Sequence, residues 1–461
     1  MTIKIESRQH AGKERIMASH PFNRRRFLKS SMAAAGSGLM IPYVVAPAAL
    51  GRDGQTAPSE RIILGAIGVG PQGTGVMHGF MGQGDCRVVA VCDVKSNVLE
   101  DRRQLVNAHY GNNDCRKYTD FRELLARDDI DAVLIATCDH WHVLCGLYAA
   151  KARKDMYIEK PMGVSVAEDQ ALRRAIHRYG RVFQFGTQQR SSRQFWQACM
   201  LARNGLIGEL KEIRVWSPGS SQGGDPTPVP VPEWLDYDRW LGPAPFTPYT
   251  KDRESNALWW FIYDYALGFI AGWGIHPVDI ALWGGGEKTA CACSVEGTAI
   301  FPTQGVCNTA MNWDVKIDYD SGVRMHFTGD PFPEAWKQRY GRTTSHGTAF
   351  EGTEGWVHVD RGGINAEPKS LLQIPLNDQP VQLPQSNHHQ RNLLDCIKTR
   401  GVPVSSIDES VQADFVCQIS DIATRVGTKL RWDPKTERFV NSDAANRRLS
   451  RSMRSPWSLN I

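Results

Sequence analysis

The sequence predicts an α/β protein that opens with a dinucleotide-binding sheet, and three observations predict it. Gly68-Val69-Gly70-Pro71-Gln72-Gly73 follows an apolar run over residues 61–67 and precedes a helical stretch over 74–81. A second apolar run, residues 87–92, ends in Asp93, twenty residues beyond Gly73. Strand-like and helix-like segments then alternate to about residue 187, the pattern of a parallel sheet with crossover helices. The chain has 461 residues, too many for one ordinary core, so two domains and an appendage are expected.

The glycine pattern alone is weak, and its context carries it. Gly68 permits the tight turn, Gly70 lets the backbone approach a pyrophosphate, and Gly73 brings helix against strand. The helix amino terminus then faces the anion, with Gln72 in the glycine loop ahead of it. Asp93 can accept hydrogen bonds from a ribose diol and repels a 2′-phosphate. NAD is therefore the expected cofactor. Lys95 nearby keeps NADP as the alternative.

The first 58 residues read as an appendage. Arg24-Arg25-Arg26-Phe27-Leu28-Lys29 fits the twin-arginine export pattern, with Asn23 where Ser or Thr is usual. An Ala/Gly-rich stretch follows from 31 to 50, and Ala46-Pro47-Ala48 offers a small-x-small cleavage site. Gly36, Gly38, Pro42 and Pro47 interrupt that stretch, which falls short of the roughly 20 apolar residues of a membrane span. A periplasmic or otherwise exported protein with no span after processing is expected.

Charge agrees with this division. The chain is formally +5, but residues 1–48 hold eight Lys/Arg against Glu6 and Glu14. That segment is +6 and the remainder −1, so no nucleic-acid partner is implied. Hydrophobic content of 41% and charged content of 22% suit a soluble globular body.

The eleven cysteines are odd in number and include no C-x-x-C pair. Cys291 and Cys293 face one side of an expected strand, but no histidine cluster joins them to make a zinc site. Free thiols are expected, with no disulfide framework and no metal.

Residues 121–127 read as a helix and 131–137 as a strand. Cys138-Asp139-His140-Trp141-His142 then leads into a helix over 143–152. His140 and His142 lack a third ligand nearby, so a loop beside the nicotinamide is the better reading. Residues 156–158 form an apolar run that ends in Glu159-Lys160-Pro161. Isolated, that tripeptide is a surface turn before proline. At the end of a parallel strand it places Lys160 at the carboxyl edge, where ligands of open α/β sheets bind.

Taken together, Gly68-x-Gly70-x-x-Gly73, Asp93, Thr137-x-x-x-x-His142 and Glu159-Lys160-Pro161 resemble the Gfo/Idh/MocA oxidoreductase family over residues 60 to about 440. Cys138 departs from the family's usual proline. The resemblance implies a Rossmann domain over 59–187. A C-terminal α/β domain with a large, mostly antiparallel sheet is implied over 188–440, serving substrate binding and homo-oligomerisation. The sequence agrees with strand-like segments at 212–216, 292–301, 313–319, 323–328 and 349–359. A Pro/Gly-rich insertion runs over 218–248, helical spacing marks 387–399 and 410–426, and a polar surface tail is expected over 441–461.

The resemblance also implies the site. Thr137, His142, Glu159 and Lys160 join Gly68, Gly70, Gln72, Gly73 and Asp93 around the cofactor. It further implies a cis bond before Pro161 that aims Lys160 inward. Gly272-Trp273-Gly274-Ile275-His276-Pro277-Val278-Asp279 matches the family's D-x-x-x-H-x-x-D, with Gly272 in place of the first Asp. His276 and Asp279 lie on one helix face. Lys160 is the first expected acid–base group, because a positive nicotinamide beside it lowers its pKa. His276, oriented by Asp279, is the second. Trp141, Arg190, Tyr263, Tyr265 and Trp273 are candidate substrate residues, aromatic faces being suited to sugar rings.

An exported oxidoreductase moving a hydride between a tightly bound nicotinamide and a sugar, glycoside or polyol is the leading expectation. An NAD-dependent glycoside hydrolase working by transient ring oxidation and elimination is the alternative. A non-catalytic ligand-binding module is a second alternative.

Overall fold

A computed structural model describes residues 56–461, Arg342 excepted, and the expected export signal lies outside them. Six parallel strands form the first sheet: β1 (Ile62–Ile67), β2 (Cys86–Cys92), β3 (Arg116–Tyr118), β4 (Ala132–Ile135), β5 (Asp155–Ile158) and β6 (Phe183–Phe185). Their order is β3-β2-β1-β4-β5-β6, with every neighbouring pair parallel. Strand order reverses between β1 and β4, so the crevice of a doubly wound sheet opens there.

The apolar runs form these strands because both faces are covered. Along β4, Ala132 and Leu134 point into one apolar cluster and Val133 and Ile135 into another, the period of two that a strand imposes. Two of the helices between these strands, Ser96–Tyr110 and Val166–Tyr179, close on left-handed glycines, Gly111 and Gly180, where a side chain would be strained.

Nine further strands build the second sheet: β7 (Leu210–Trp216), β8 (Cys293–Ile300), β9 (Asn312–Tyr319), β10 (Arg324–Thr328), β11 (Gly347–Gly352), β12 (Trp356–Asp360), β13 (Gly363–Glu367), β14 (Leu430–Asp433) and β15 (Arg438–Phe439). Their order is β13-β12-β11-β7-β10-β9-β8-β14-β15. Only β7 and β10 pair in parallel. The expected large, mostly antiparallel sheet is therefore present.

Two late helices tie the sheets together. Ile407–Val426 packs on β8 and against the Val166–Tyr179 and Ile275–Gly285 helices. His389–Thr399 returns to the first sheet, where Leu393, Leu394 and Ile397 complete its apolar face beside Phe80 and Val88.

The chain after Leu430 is anchored at several points. β15 pairs with β14, Ala445 and Leu449 are buried, and Arg454 is pinned to Asp238 at 2.5 Å. The insertion holds one short helix, Tyr237–Leu241, within an aromatic cluster that includes Tyr249, Trp259 and Tyr265. Among the described residues, all eleven cysteines are free and no helix is long and apolar enough to cross a membrane.

Candidate active site

A cleft of about 750 Å³ runs along the carboxyl edge of the first sheet. Gly68, Gly70, Gln72, Asp93, Thr137, His142, Glu159 and Lys160 all line it. The glycine loop fits a pyrophosphate on geometry alone. Gly68 has φ +78°, and a Cβ there would strike the Ala136 carbonyl at 2.6 Å. At Gly73 a Cβ would stand 2.0 Å from the Gly68 oxygen, whereas Gly70 has nothing within 4 Å. Residues 68 and 73 must be glycine for packing, and residue 70 leaves room for a ligand.

Asp93 is built into the loop as well as facing the cleft. Its Oδ2 accepts from the Val69 amide and its Oδ1 from the Lys95 amide, each at 3.0 Å. One lone pair on each oxygen remains for a ribose diol. Lys95 does not offer a free charge to a 2′-phosphate. Its Nζ is paired with the buried Glu254 carboxylate and lies 5.9 Å from the Trp234 ring.

Glu159 and Lys160 point in different directions. Glu159 is buried and accepts from Gln72 Nε2 at 3.1 Å and Gln188 Nε2 at 3.2 Å. Burial pushes its carboxyl up from the ordinary value, and Lys160 pulls it partly back. Glu159 therefore locks the glycine loop to the sheet edge. The Lys160–Pro161 bond is cis. Lys160 Nζ donates to the Gly272 carbonyl at 3.2 Å and stands 4.8 Å from the Trp260 ring centroid. It thus joins the cofactor cleft to the segment that carries His276.

His142 holds the cis-proline loop in place. Its Nδ1 faces the Pro161 carbonyl at 2.7 Å and its Nε2 faces the Thr137 carbonyl at 3.1 Å. Burial lowers its pKa to about 4, so the neutral ring has one N–H, best placed on the shorter Nδ1 contact. His140 is turned away, its Nε2 3.0 Å from the Trp240 carbonyl.

His276 is buried at the head of the Ile275–Gly285 helix, and its Nδ1 has no hydrogen-bond partner. Burial first, then the charges of Lys160 and Arg361, holds its pKa well below the ordinary value. A neutral imidazole is a competent proton acceptor.

Four expectations need correction. Asp279 does not orient His276: both its oxygens are bound by Arg190, at 2.7 and 2.8 Å. Arg190 in turn is not a substrate residue, being fully buried between Asp279 and Glu409. Burial opposes its charge, but the two carboxylates outweigh that and keep it protonated. Tyr265 is fully buried, its ring 4.7 Å from Trp240 and 5.2 Å from His140. Tyr263 is stacked between Arg425 at 3.7 Å and Arg451 at 3.9 Å, beside a different cavity. Sequence proximity to site elements had drawn both tyrosines in.

Trp141 lines the cleft while its Nε1 donates to the Arg239 and Trp240 carbonyls. Trp273 is half-buried beside His276, with ring centroids 5.7 Å apart.

Sequence reasoning missed two groups. Asp139 is buried with both oxygens unpartnered, and burial pushes its carboxyl well above the usual range while Lys160 lowers it. Only its place in the expected loop could have flagged it. Trp457 and Arg454 also line the cleft. Trp457 lies 4.7 Å from the Trp141 ring, and Arg122 is 5.4 Å from the Trp457 ring.

Comparison with known proteins agrees with this geometry. Residues 62–187 match the NAD-binding Rossmann fold of the Gfo/Idh/MocA oxidoreductase family, and residues 222–459 match its C-terminal alpha/beta domain. The chain belongs to the Gfo/Idh/MocA family. Its Rossmann domain is NAD-binding. Among solved structures, the fold of this family member is similar to the WlbA dehydrogenase from Bordetella pertussis in complex with NADH and UDP-GlcNAcA. That likeness has a TM-score of 0.59 and 15% identity over 80% of this chain and 98% of the other. GenD2 from gentamicin A biosynthesis, in complex with NAD, gives 0.59 and 17% over 82% and 98%. At these identities the likeness shows the fold. Curated relatives include Glycosyl hydrolase family 109 protein 2 of Shewanella sp. (strain ANA-3), 32% identical over 161 residues, 32% of this chain and 35% of the relative. A Glycosyl hydrolase family 109 protein of Saccharopolyspora erythraea is 32% identical over 165 residues, 32% and 36% of the two chains. The matches span about a third of these relatives' length.

Proposed function

We propose that this Gfo/Idh/MocA protein oxidises a secondary hydroxyl of a sugar, glycoside or polyol to the carbonyl, or runs the reverse reduction of the carbonyl. The observation that carries the reading is the bond from Lys160 Nζ to the Gly272 carbonyl at 3.2 Å. It sets a cleft-lining lysine beside the segment that bears a neutral, buried histidine. In the forward direction Lys160 donates a hydrogen bond to the reacting oxygen, and His276 takes the hydroxyl proton. The glycine loop and Asp93 hold NAD, which when bound supplies the acceptor for the hydride leaving the substrate carbon. Trp260 and Trp273 line the approach and shield the reacting carbon from water.

A second reading is favoured by the curated relatives named as glycosyl hydrolases. The same acid–base pair would serve a hydrolase that oxidises a ring hydroxyl transiently, eliminates the aglycone, adds water across the resulting double bond and returns the hydride to the carbonyl. In the hydrolase reading the hydride returns to the same sugar within one turnover, whereas in the oxidoreductase reading a second, carbonyl-bearing substrate must take it back. Export completes the proposal: Arg24 to Lys29 suit a route that moves folded proteins with cofactors already bound.

The test uses the protein as purified. A sugar and polyol panel is screened by absorbance of bound NADH, beside a chromogenic glycoside panel without added NAD. Reduction of bound cofactor without glycoside cleavage supports the oxidoreductase, and cleavage without added NAD supports the hydrolase. Silence in both panels, with cofactor present, removes the catalytic reading.

A further inference from the structure

Trp273 is the centre of a second constellation beside the reacting pair. The Arg361 Cζ lies 5.0 Å from its ring, and the His346 and His276 rings lie 5.1 and 5.7 Å away. Arg361 stands exposed on the turn between β12 and β13. Its Nε meets the amide oxygen of Gln189 at 3.2 Å when that amide is oriented to satisfy both its ends. No carboxylate among the described residues forms an ion pair with Arg361. Asp360, its neighbour, accepts instead from the Thr344 and Gly362 amides, each at 2.7 Å. Asp279 is held by Arg190. The helix segment ahead of His276 bears glycine at 272 where a carboxylate would repel an anion.

The terminal edge of the guanidinium is therefore left open. That edge, with two parallel N–H donors, matches a planar carboxylate in bidentate geometry. The site holds further unmet capacity, because the buried Nδ1 atoms of His276 and His346 have no partner. An indole face under the same arginine suits the apolar face of a pyranose ring. Lys160 and Arg361 both disfavour a charge on His276, and the Glu159 carboxylate lies within electrostatic reach of Arg361 without pairing with it.

We propose that Arg361 and Trp273 form a carboxylate-binding subsite, and that the substrate is an acidic sugar of the uronic acid class. The assignment rests on the carbohydrate reading above and narrows it. The carboxylate would sit end-on against Arg361, with the sugar ring across Trp273. Arg361 thereby sets specificity, while proton transfer stays with His276.

The experiment measures binding, so it does not depend on finding the turnover reaction. The protein as purified is titrated calorimetrically with D-glucuronate and D-galacturonate. D-glucose, D-galactose and galactose 6-sulfate are the comparators. Cofactor content is read separately by mass spectrometry, which keeps a failure of the redox reading distinct from a failure here. Each uronate is expected to bind at least about tenfold tighter than its neutral partner, the scale of one charged hydrogen-bonded contact. Arg361→Gln should abolish the preference with cofactor content unchanged, and Arg361→Lys should keep part of it. Equal binding of acid and neutral sugar, no binding of either uronate, or a preference that survives Arg361→Gln overturns the inference. Tighter binding of the sulfate ester than of both uronates overturns the uronate assignment.

Discussion

Asp279 gives both carboxylate oxygens to Arg190, at 2.7 and 2.8 Å, and leaves His276 three residues earlier on the same helix without a carboxylate partner. The two acidic and basic roles implied by the motif are thereby separated. Asp279→Asn should act on stability, because it leaves the half-exposed Glu409 as the one carboxylate partner of the buried Arg190. Breaking such a pair costs about 3 kcal/mol. A thermal melt equal to wild type, or turnover lost with the melt unchanged, would show that Asp279 serves chemistry after all.

Lys160→Met should keep fold and cofactor, since a linear apolar chain replaces the stem. Turnover should fall by roughly two to four orders of magnitude, the usual worth of a positioned acid–base group. His276→Asn should lower turnover as well and flatten the acid limb of the rate profile. Near wild-type rates for Lys160→Met on the true substrate would defeat the proposed mechanism.

Asp93→Ala should weaken NAD binding and narrow the gap to NADP, as measured by titration after the cofactor is stripped. Lys95 is tied to Glu254, so Lys95→Ala should change that gap little. Wild type binding NADP better than NAD would contradict this account.

Trp457→Ala should loosen cofactor retention. Its ring meets Trp141 and Phe121, and such aromatic contacts contribute about 0.5–1.5 kcal/mol each. Exchange of bound cofactor against isotope-labelled NAD should quicken by roughly threefold to tenfold. Unchanged exchange would mean that the cleft is closed by other residues.

Acid should unfold the protein steeply. Burial lowers His140, His142, His346 and His389 from the ordinary 6.5 to about 4, so they fold neutral. The unfolded chain binds these protons below about pH 6.5 and the folded chain does not. Stability is therefore present above pH 6.5 and lost as pH falls towards 4, by about 1.4 kcal/mol per proton and pH unit. Chemical denaturation midpoints that stay level between pH 6.5 and 4.5 would refute the assignment.

The parallel sheet was legible because its signals are local. Glycine spacing, apolar runs and the position of Asp93 are all written within a few turns of chain. Lys160 was legible for the same reason, being the residue that leaves β5. Arg190 was misread because its partners stand 89 and 219 residues away, beyond any spacing rule. Tyr263 and Tyr265 were misread because neighbours in sequence need not share a wall: one ring is buried and the other is clasped by arginines. Arg361 gave no signal at all, since a lone arginine in a turn is ordinary until its acid partners are seen to be engaged elsewhere.

The pinned tail sets an order of events in the life of the chain. Gly68 and Trp457 line the same cleft, yet one is made early in the folded body and the other late. A nascent chain can raise its parallel sheet long before it can enclose a dinucleotide. Enclosing a dinucleotide waits on residues 454–457, and molecules nicked ahead of Arg454 would lose that wall of the cleft.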